Sequence, residues 1–373
     1  MDAFKTIPCG YFEHTKDWVR EEQHRDNSGI SFQSFDYGGE VEFRAPRSVE
    51  LEIHPYLTAY RMKPDDGFVV SIPEGRIWGQ SGAVLTPGGR LLGDVSAEYD
   101  EHLNAMVTPE HHPIFKRWNH PRLEQIGGTT AALAFCGGHN YFHWMYDVMA
   151  RWGMLIESGI TYDRIIVNAN PYGAFVQETL AMLGLSDEKV IRTHPSLYLQ
   201  SERLIVPSML MSAHYPKWAT SMLRKLFLPH QATNMRVHER LYVSRKKASV
   251  RRVVNESEVT DFLSDLGFCG LLLEEMSVAE QIALFASARV IVAAHGAGLS
   301  NLAFCQPGTK VIEVFHPGHI MPVYWMISNH NELDYYLMHG HEQPAEGIDF
   351  AGLEDIRIDI GTLRKTLQLA GIE

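Results

Sequence analysis

No Asp-x-Asp pair occurs anywhere in the 373 residues, so the carboxylate pair that commonly holds a divalent ion on a phosphate ligand is not supplied locally. Cysteine is scarce. The four present, Cys9, Cys136, Cys269 and Cys305, are far apart and none forms a C-x-x-C, which argues against a disulfide framework or a zinc knuckle. Cys136, Cys269 and Cys305 have apolar neighbours and are expected to be buried, reduced thiols. No run approaches the roughly 20 apolar residues of a membrane helix. The opening MDAFKTIPCGYFEHTKDW has no apolar core behind a basic start, so it does not read as a secretory signal. The expected location is cytoplasmic, with peripheral attachment to the inner face of the membrane left open. Positive charge is also in deficit: the formal net charge is -12, which excludes a protein that coats nucleic acid. Internal repeats and low-complexity tracts are absent.

What is there suffices for two domains at roughly 100–200 residues each, with 45% hydrophobic and 21% charged residues. Residues 1–40 are polar and irregular. Residues 41–95 alternate short apolar runs (VEFRA, VELEI, GFVVSI, GAVLT, RLLG) with turn residues, Pro87-Gly88-Gly89 among them, and read as hairpins. Residues 100–130 read as loop, with His111, His112 and His120 scattered through them. From Thr130 the grammar becomes βαβ: strand AALAF, a long helix from about Asn140 stopped by Gly159, strand RIIVN, and a helix stopped by Gly184. The polar, aperiodic LPHQATNMRVHE (228–239) marks a domain boundary near residue 231. Beyond it, βα alternation resumes. Strands LYVS, FCGLLL, RVIVAA and KVIEVF alternate with helices that open at Asn255 with Glu258 and at Ser277 with Glu280, each spaced as a capping box. The stretch 353–371 is helix-like and could cover either domain. An α/β fold with parallel sheets follows.

Three stretches carry chemistry. In 289–315 a buried strand runs into His295-Gly296-Ala297-Gly298 and then a helix, and the next strand holds Glu313 near its end. Glycines at such a turn admit positive φ or close ligand approach, the helix start offers free N–H groups to a phosphate, and Glu313 is placed to take the hydroxyls of a ribose. The alternative is a plain βα turn. In 236–252, seven Lys/Arg stand against one Glu. Arg245, Lys246 and Lys247 follow a strand, while Arg251 and Arg252 precede a helix, and forked guanidiniums suit phosphate oxygens. The alternative is a solvated basic face. In HNYFHWMYDVMARW, His139, His143, Asp147 and Arg151 recur every four residues, giving a polar helical stripe in which Asp147 or His143 can act as a base. That stripe has two rival readings, a structural pair and a metal site.

Together these stretches resemble glycosyltransferase family 61. The match rests on HNYFHW (139–144), YVSR with RRVVNESEV (242–245, 251–259), EQIALF, HGAGLSNLAF and VIEVF, over about residues 75–340. The resemblance implies a GT-B-like arrangement of two Rossmann-like domains and an inverting, metal-independent transfer from a nucleotide sugar to a glycan or lipid-linked glycan, with no cofactor. It implies an acceptor-side domain over 1–231, a nucleotide-sugar-binding domain over 232–345, and a C-terminal helix over 346–373. It implies that Arg245 and Arg252 contact the diphosphate and that Asn255 and Glu256 shape that loop. His295, Gly296, Ala297, Gly298 and Asn301 would serve the donor, Glu313 the ribose, and Asp147, His143 and His139 the catalytic side. Lacking an anchor, the chain looks more like bacterial members linked to capsular or surface polysaccharide. Two rival functions remain at this level: a metal-dependent hydrolase on His139, His143 and Asp147, and a non-catalytic nucleotide- or glycan-binding subunit.

Overall fold

The computed structural model describes residues 8–23, 29–50, 53–100, 105–117, 120–170, 173–210, 214–344 and 350–373. The fold is mixed α/β. The chain divides into two compact units, one of Met1–Tyr37 with Asp65–Leu210, the other of Gly38–Pro64 with Met211–Glu373.

The first unit is built on a ten-stranded sheet. Four parallel strands form its helix-covered part: β1 (Glu124–Ala132), β2 (Arg164–Val167), β3 (Val190–Arg192) and β4 (Tyr198–Pro207), in the order β4-β1-β2-β3. Antiparallel strands extend it past β4, where Gly67–Pro73 and Arg76–Trp78 both pair with β4. The Pro87-Gly88-Gly89 hairpin forms as expected, with Gly89 at φ 81. Strand β1 begins well inside the stretch read as loop, and its middle carries a register shift between Ile126 and Thr129 where Gly128 adopts φ 80. Two adjacent glycines hide a strand from propensity reasoning because they weaken its pattern. After β1 the chain turns at Gly137-Gly138 into a helix of three parts: Tyr141–His143, a π-helical turn Trp144–Met149, and α1 (Ala150–Ser158). Asn140 caps its start and Gly159, at φ 68, ends it. Helix α2 (Phe175–Met182) follows β2.

The second unit has a six-stranded, all-parallel sheet. Its strands are β5 (Arg240–Val243), β6 (Cys269–Leu271), β7 (Val290–Ala294), β8 (Lys310–Phe315) and β9 (Asp334–His339), in the order β6-β5-β7-β8-β9, with Arg47–Ser48 on the outer edge of β9. Strands covered on both faces read as unbroken apolar runs, as VIVAA does here. The helices are α3 (Lys217–Phe227), α4 (Glu256–Asp265), α5 (Val278–Ser287), α6 (Val323–His330) and α7 (Ile360–Leu369). The C-terminal stretch covers this unit: Ile356, Ile358, Leu363 and Leu367 share a core with Val292 and Ile312.

The units divide at residue 210, earlier than the polar stretch near 231 suggested. Helix α3 explains the difference: Arg224 donates to the carbonyls of Ala303 and Cys305 at 2.7 Å each, and Thr220 meets His330 at 3.1 Å. Residues 38–64 also join the second unit, because Phe43 is buried between Tyr60 and Trp325. Of the expected strand VELEI, residues 51 and 52 lie outside the described residues. Ser277 and Glu280 form a reciprocal capping box, whereas Asn255 does not cap α4.

Candidate functional site

The order of the second sheet places a topological switch point between β5 and β7, where the chain leaves in opposite directions from neighbouring parallel strands. Ligands of such sheets bind outside the carboxyl ends at this point. Ser244-Arg245 follows β5 and His295-Gly296 follows β7, so two of the three motifs converge there.

Arg245 folds back over its own loop. Its Nε donates to the Arg251 carbonyl at 2.7 Å and its Nη2 to that of Val250 at 2.6 Å. Its Nη1 lies on Gly296, where an added Cβ would sit 1.9 Å from that nitrogen. Gly296 is therefore needed for close approach. Its φ of 177 is ordinary extended backbone, so the expected positive φ is not its reason. Gly298 likewise makes room for Leu273, whose Cδ1 would lie 2.6 Å from a Cβ. Ala297 opens the 3-10 helix Ala297–Phe304.

Arg251 is the second cation at this point. It sits at φ 53, a strained conformation for a side-chain-bearing residue, and donates to the carbonyls of His295 at 3.3 Å and Gly352 at 2.5 Å. Burial, and next the neighbouring Arg251, push the Arg245 guanidinium down to about 10. Burial also lowers Arg251. Neither guanidinium has an ion-pair partner among the described residues. Their neighbours in the basic run are compensated or exposed: Lys247 pairs with Glu275, and Arg252 forks onto Asp355 from the open surface. Lys246 is exposed. Of the two adjacent arginines, Arg251 turns toward His295, whereas Arg252, the one expected at a diphosphate, faces the open surface. Sequence could not separate two adjacent arginines; the strained backbone turns one inward and the other out.

Several other expected donor contacts are structural. Asn255 ties the start of α4 to the C-terminal stretch: its Nδ2 donates to the Ile358 carbonyl at 2.8 Å and its Oδ1 accepts from the Ile358 N–H at 3.0 Å. Asn301 is fully buried and donates to Gln281 at 2.9 Å. Glu256 has both carboxylate oxygens buried, beside the buried Tyr242 hydroxyl.

Glu313 departs furthest from expectation. It has no exposed surface, and its two oxygens are already engaged: Oε1 meets His295 Nδ1 at 2.5 Å, and Oε2 accepts the Tyr335 hydroxyl. It cannot also bind a ribose. Burial pushes it up to about 8, the Tyr335 hydrogen bond opposing. His295 is held well below its usual range by burial and by Arg251 and Arg245, so its imidazole is neutral. Its ring is stacked on Phe315 and flanked by Tyr324 and His319.

In the first unit, His143 and Asp147 meet at the carboxyl end of β1. His143 Nδ1 and Asp147 Oδ2 are 2.7 Å apart; Asp147 has no exposed surface, whereas a third of the His143 side chain is exposed (33%). Gly137 permits this, since a Cβ there would press on the imidazole Cδ2 at 2.6 Å. His143 Nε2 has no partner among the described residues. Arg151 is fully buried and donates to the carbonyls of Ala132, Leu133, Ala134, Asp147, Pro207 and Ser208, which fastens the helix to β1 and β4. His139 does not join the stripe: it is exposed on the turn before the helix begins. No group of three His, Cys, Asp or Glu is placed to hold a metal ion among the described residues. Cys136 is half-buried rather than buried, its thiol pushed up to about 12 by burial and by the carboxylates of Glu98 and Asp147. Cys269 is half-buried as well, and Cys305 is buried as expected.

Residues 141–312, just under half of the chain, match the Glycosyltransferase 61 family. A stretch of 108 residues is 32% identical to the β-1,2-xylosyltransferase of Arabidopsis thaliana, covering 26% of this chain and 20% of that protein. Another of 93 residues is 31% identical to the β-1,2-xylosyltransferase RCN11 of Oryza sativa subsp. japonica, covering 23% and 17%. The matched stretches thus span about a fifth of the length of these curated relatives. The bacterial iron-containing dodecameric glycosyltransferase TibC from enterotoxigenic E. coli H10407 aligns over 94% of this chain and 89% of its own at 12% identity, but a TM-score of 0.29 carries no argument. No helix among the described residues is long and apolar enough to cross a membrane.

Proposed function

We propose that the protein is an inverting, metal-independent glycosyltransferase of the GT-B class. In this reading it moves a sugar from a nucleotide-sugar donor to a hydroxyl of a glycan or lipid-linked glycan in polysaccharide biosynthesis, on the cytoplasmic side. One observation carries the reading: Arg245 and Arg251 converge, with no ion-paired carboxylate among the described residues, at the switch point of a doubly wound sheet. Two half-buried guanidiniums in one loop repel each other, and a bound dianion relieves both. The family match over 141–312 supports the reaction class.

In the reaction, His143 Nε2 takes the proton of the acceptor hydroxyl. Asp147 holds Nδ1–H, which leaves the Nε2 lone pair free. Asp147 cannot act directly because it has no surface. The acceptor oxygen forms its bond to the anomeric carbon as the carbon–oxygen bond to the diphosphate breaks. The electron pair leaves with the nucleoside diphosphate, whose charge Arg245 and Arg251 hold. One displacement inverts the anomeric centre.

A panel of nucleotide sugars, activated xylose first in view of the relatives' names, is screened by thermal shift against Arg245→Ala. Calorimetry is expected to show a roughly 10–100-fold loss of nucleoside diphosphate affinity in the variant. Unchanged affinity overturns the site. Sugar release or transfer that survives chelation supports an enzyme that needs no metal, whereas binding without turnover identifies a non-catalytic subunit.

A further inference from the structure

Glu313, Tyr335 and His295 form a closed chain beneath the proposed diphosphate site, and its hydrogen-bond arithmetic has two solutions. The Tyr335 hydroxyl donates to Glu313 Oε2. The 2.5 Å contact between Glu313 Oε1 and His295 Nδ1 then holds one proton. If that proton belongs to the imidazole, Glu313 is an anion and His295 Nε2 is a bare lone pair. If it belongs to the acid, Glu313 is neutral and Nε2 carries the hydrogen. His295 Nε2 has no protein partner among the described residues.

We infer that Glu313 is a positioning residue that works as a neutral acid: by donating to His295 Nδ1 it fixes the tautomer in which His295 Nε2–H is a hydrogen-bond donor to the diphosphate. This rests on the reading of the switch point as a diphosphate site. Three features of the geometry support it. Glu313 has no exposed surface and no ion-pairing Arg or Lys among the described residues, and a buried carboxylate without a cation is costly. A Nε2 lone pair beside an anionic ligand would repel it, whereas Nε2–H attracts it. His295 also stays uncharged, because Arg251 and Arg245 already occupy its surroundings with positive charge. The groups facing the pair are Tyr335 from β9, Tyr324 from α6, His319 from the turn after β8, and Arg245 and Arg251 from the loop after β5. Tyr324 and Tyr335 are held above their usual range by burial, so they remain uncharged. Burial pushes His319 down to about 4, so it too is neutral near pH 7. Glu313 is thus the group of this cluster whose charge changes on the mildly alkaline side, since burial raises it to about 8.

Glu313→Gln separates the two solutions. A glutamine amide donates to Nδ1 and accepts from Tyr335, so it copies the neutral acid and not the anion. Nitrogen-15 NMR of the whole protein at pH 7, with the His295 signal assigned by its loss in His295→Asn, is expected to show the Nε2–H tautomer in both wild type and Glu313→Gln. An Nδ1–H tautomer in the wild type overturns the inference, and it does so without any variant needing to fold at position 313. Calorimetry with inorganic pyrophosphate gives the second readout. Glu313→Gln is expected to keep affinity within roughly threefold at pH 7, while Glu313→Ala loses roughly tenfold or more. Between pH 7 and 9.5 the wild type is expected to weaken relative to Glu313→Gln. A parallel pH course in the two proteins, or a Gln variant as weak as the Ala variant, overturns the inference. If the wild type binds neither pyrophosphate nor any nucleoside diphosphate, the donor-site reading fails, and the tautomer measurement still decides the state of Glu313.

Discussion

Two of the molecule's histidine–carboxylate pairs, His143–Asp147 and His295–Glu313, are alike in contact geometry and work in opposite senses. In both, a carboxylate with no exposed surface meets a histidine Nδ1, at 2.7 Å for His143–Asp147 and 2.5 Å for His295–Glu313. The surroundings differ. The buried Arg151 guanidinium supplies a countercharge to Asp147 and binds its carbonyl at 3.2 Å, and His143 stays one-third exposed. Glu313 has a tyrosine hydroxyl in place of a cation, and His295 is nearly enclosed between two arginines. A compensated carboxylate makes the far imidazole nitrogen an acceptor. An uncompensated one keeps its own proton and makes that nitrogen a donor. The lesson is that the charge beyond the acid sets the polarity of the histidine.

One isosteric change, made at both acids, separates the two pairs. Asp147→Asn is expected to lower kcat roughly 10²–10⁴-fold by reversing the His143 tautomer, with donor binding by calorimetry unchanged. Glu313→Gln is expected to leave kcat almost intact. Equal losses in steady-state assays would show that the pairs share one polarity.

A smaller effect separates the adjacent arginines. Arg251→Ala is expected to weaken nucleoside diphosphate binding roughly tenfold or more, whereas exposed Arg252→Ala changes it less than about twofold, both read by calorimetry. The reverse order would restore the role that sequence assigned to Arg252.

Two glycines give the Arg245 guanidinium and the His143 ring their room. Gly296→Ala pushes the Arg245 guanidinium aside and is expected to cost affinity, roughly fivefold, while Gly137→Ala displaces the His143 ring and is expected to lower kcat by a similar factor. A kcat-against-KM analysis that assigns both losses to the same parameter would contradict the division of roles.

The smallest expected effect is on stability against pH. Glu313 is raised from 4.5 to about 8 in the folded state, so the folded protein holds the extra proton between those values. Stability from this group is full below about pH 4.5 and is lost as pH rises through about 8. His295 is lowered in the folded state, so its contribution rises with pH up to its ordinary 6.5 and offsets the Glu313 loss below that point. The net decline therefore falls between about pH 6.5 and 8. Denaturation of wild type and Glu313→Gln across this range is expected to show the decline only in the wild type.

Much of the fold is legible in the sequence. Gly159 and Gly184 end their helices, Ser277 and Glu280 cap theirs, and the apolar run before HGAG is a buried parallel strand, because these signals act within a few residues. Strand β1 was hidden by Gly127-Gly128. The compact units divide at residue 210 rather than near 231, because Arg224 ties α3 to carbonyls some 80 positions away. At the candidate site, His143 with Asp147 and Arg245 with HGAG were found by spacing. The part of Tyr335, the inward turn of Glu313 and the choice of Arg251 over its neighbour Arg252 are not legible there, since no local pattern reports which side of a strand end is filled from a neighbouring element.

Hydrophobic period, caps and glycines are local instructions, so the sequence alone sufficed for the βα alternation and for the three motifs on which the family resemblance rests. Only the tertiary structure decided which arginine turns inward, that Glu313 is already occupied, and which histidine accepts a proton and which donates one. Those outcomes depend on burial and on the charges contributed by distant segments, and neither quantity exists until the chain has folded.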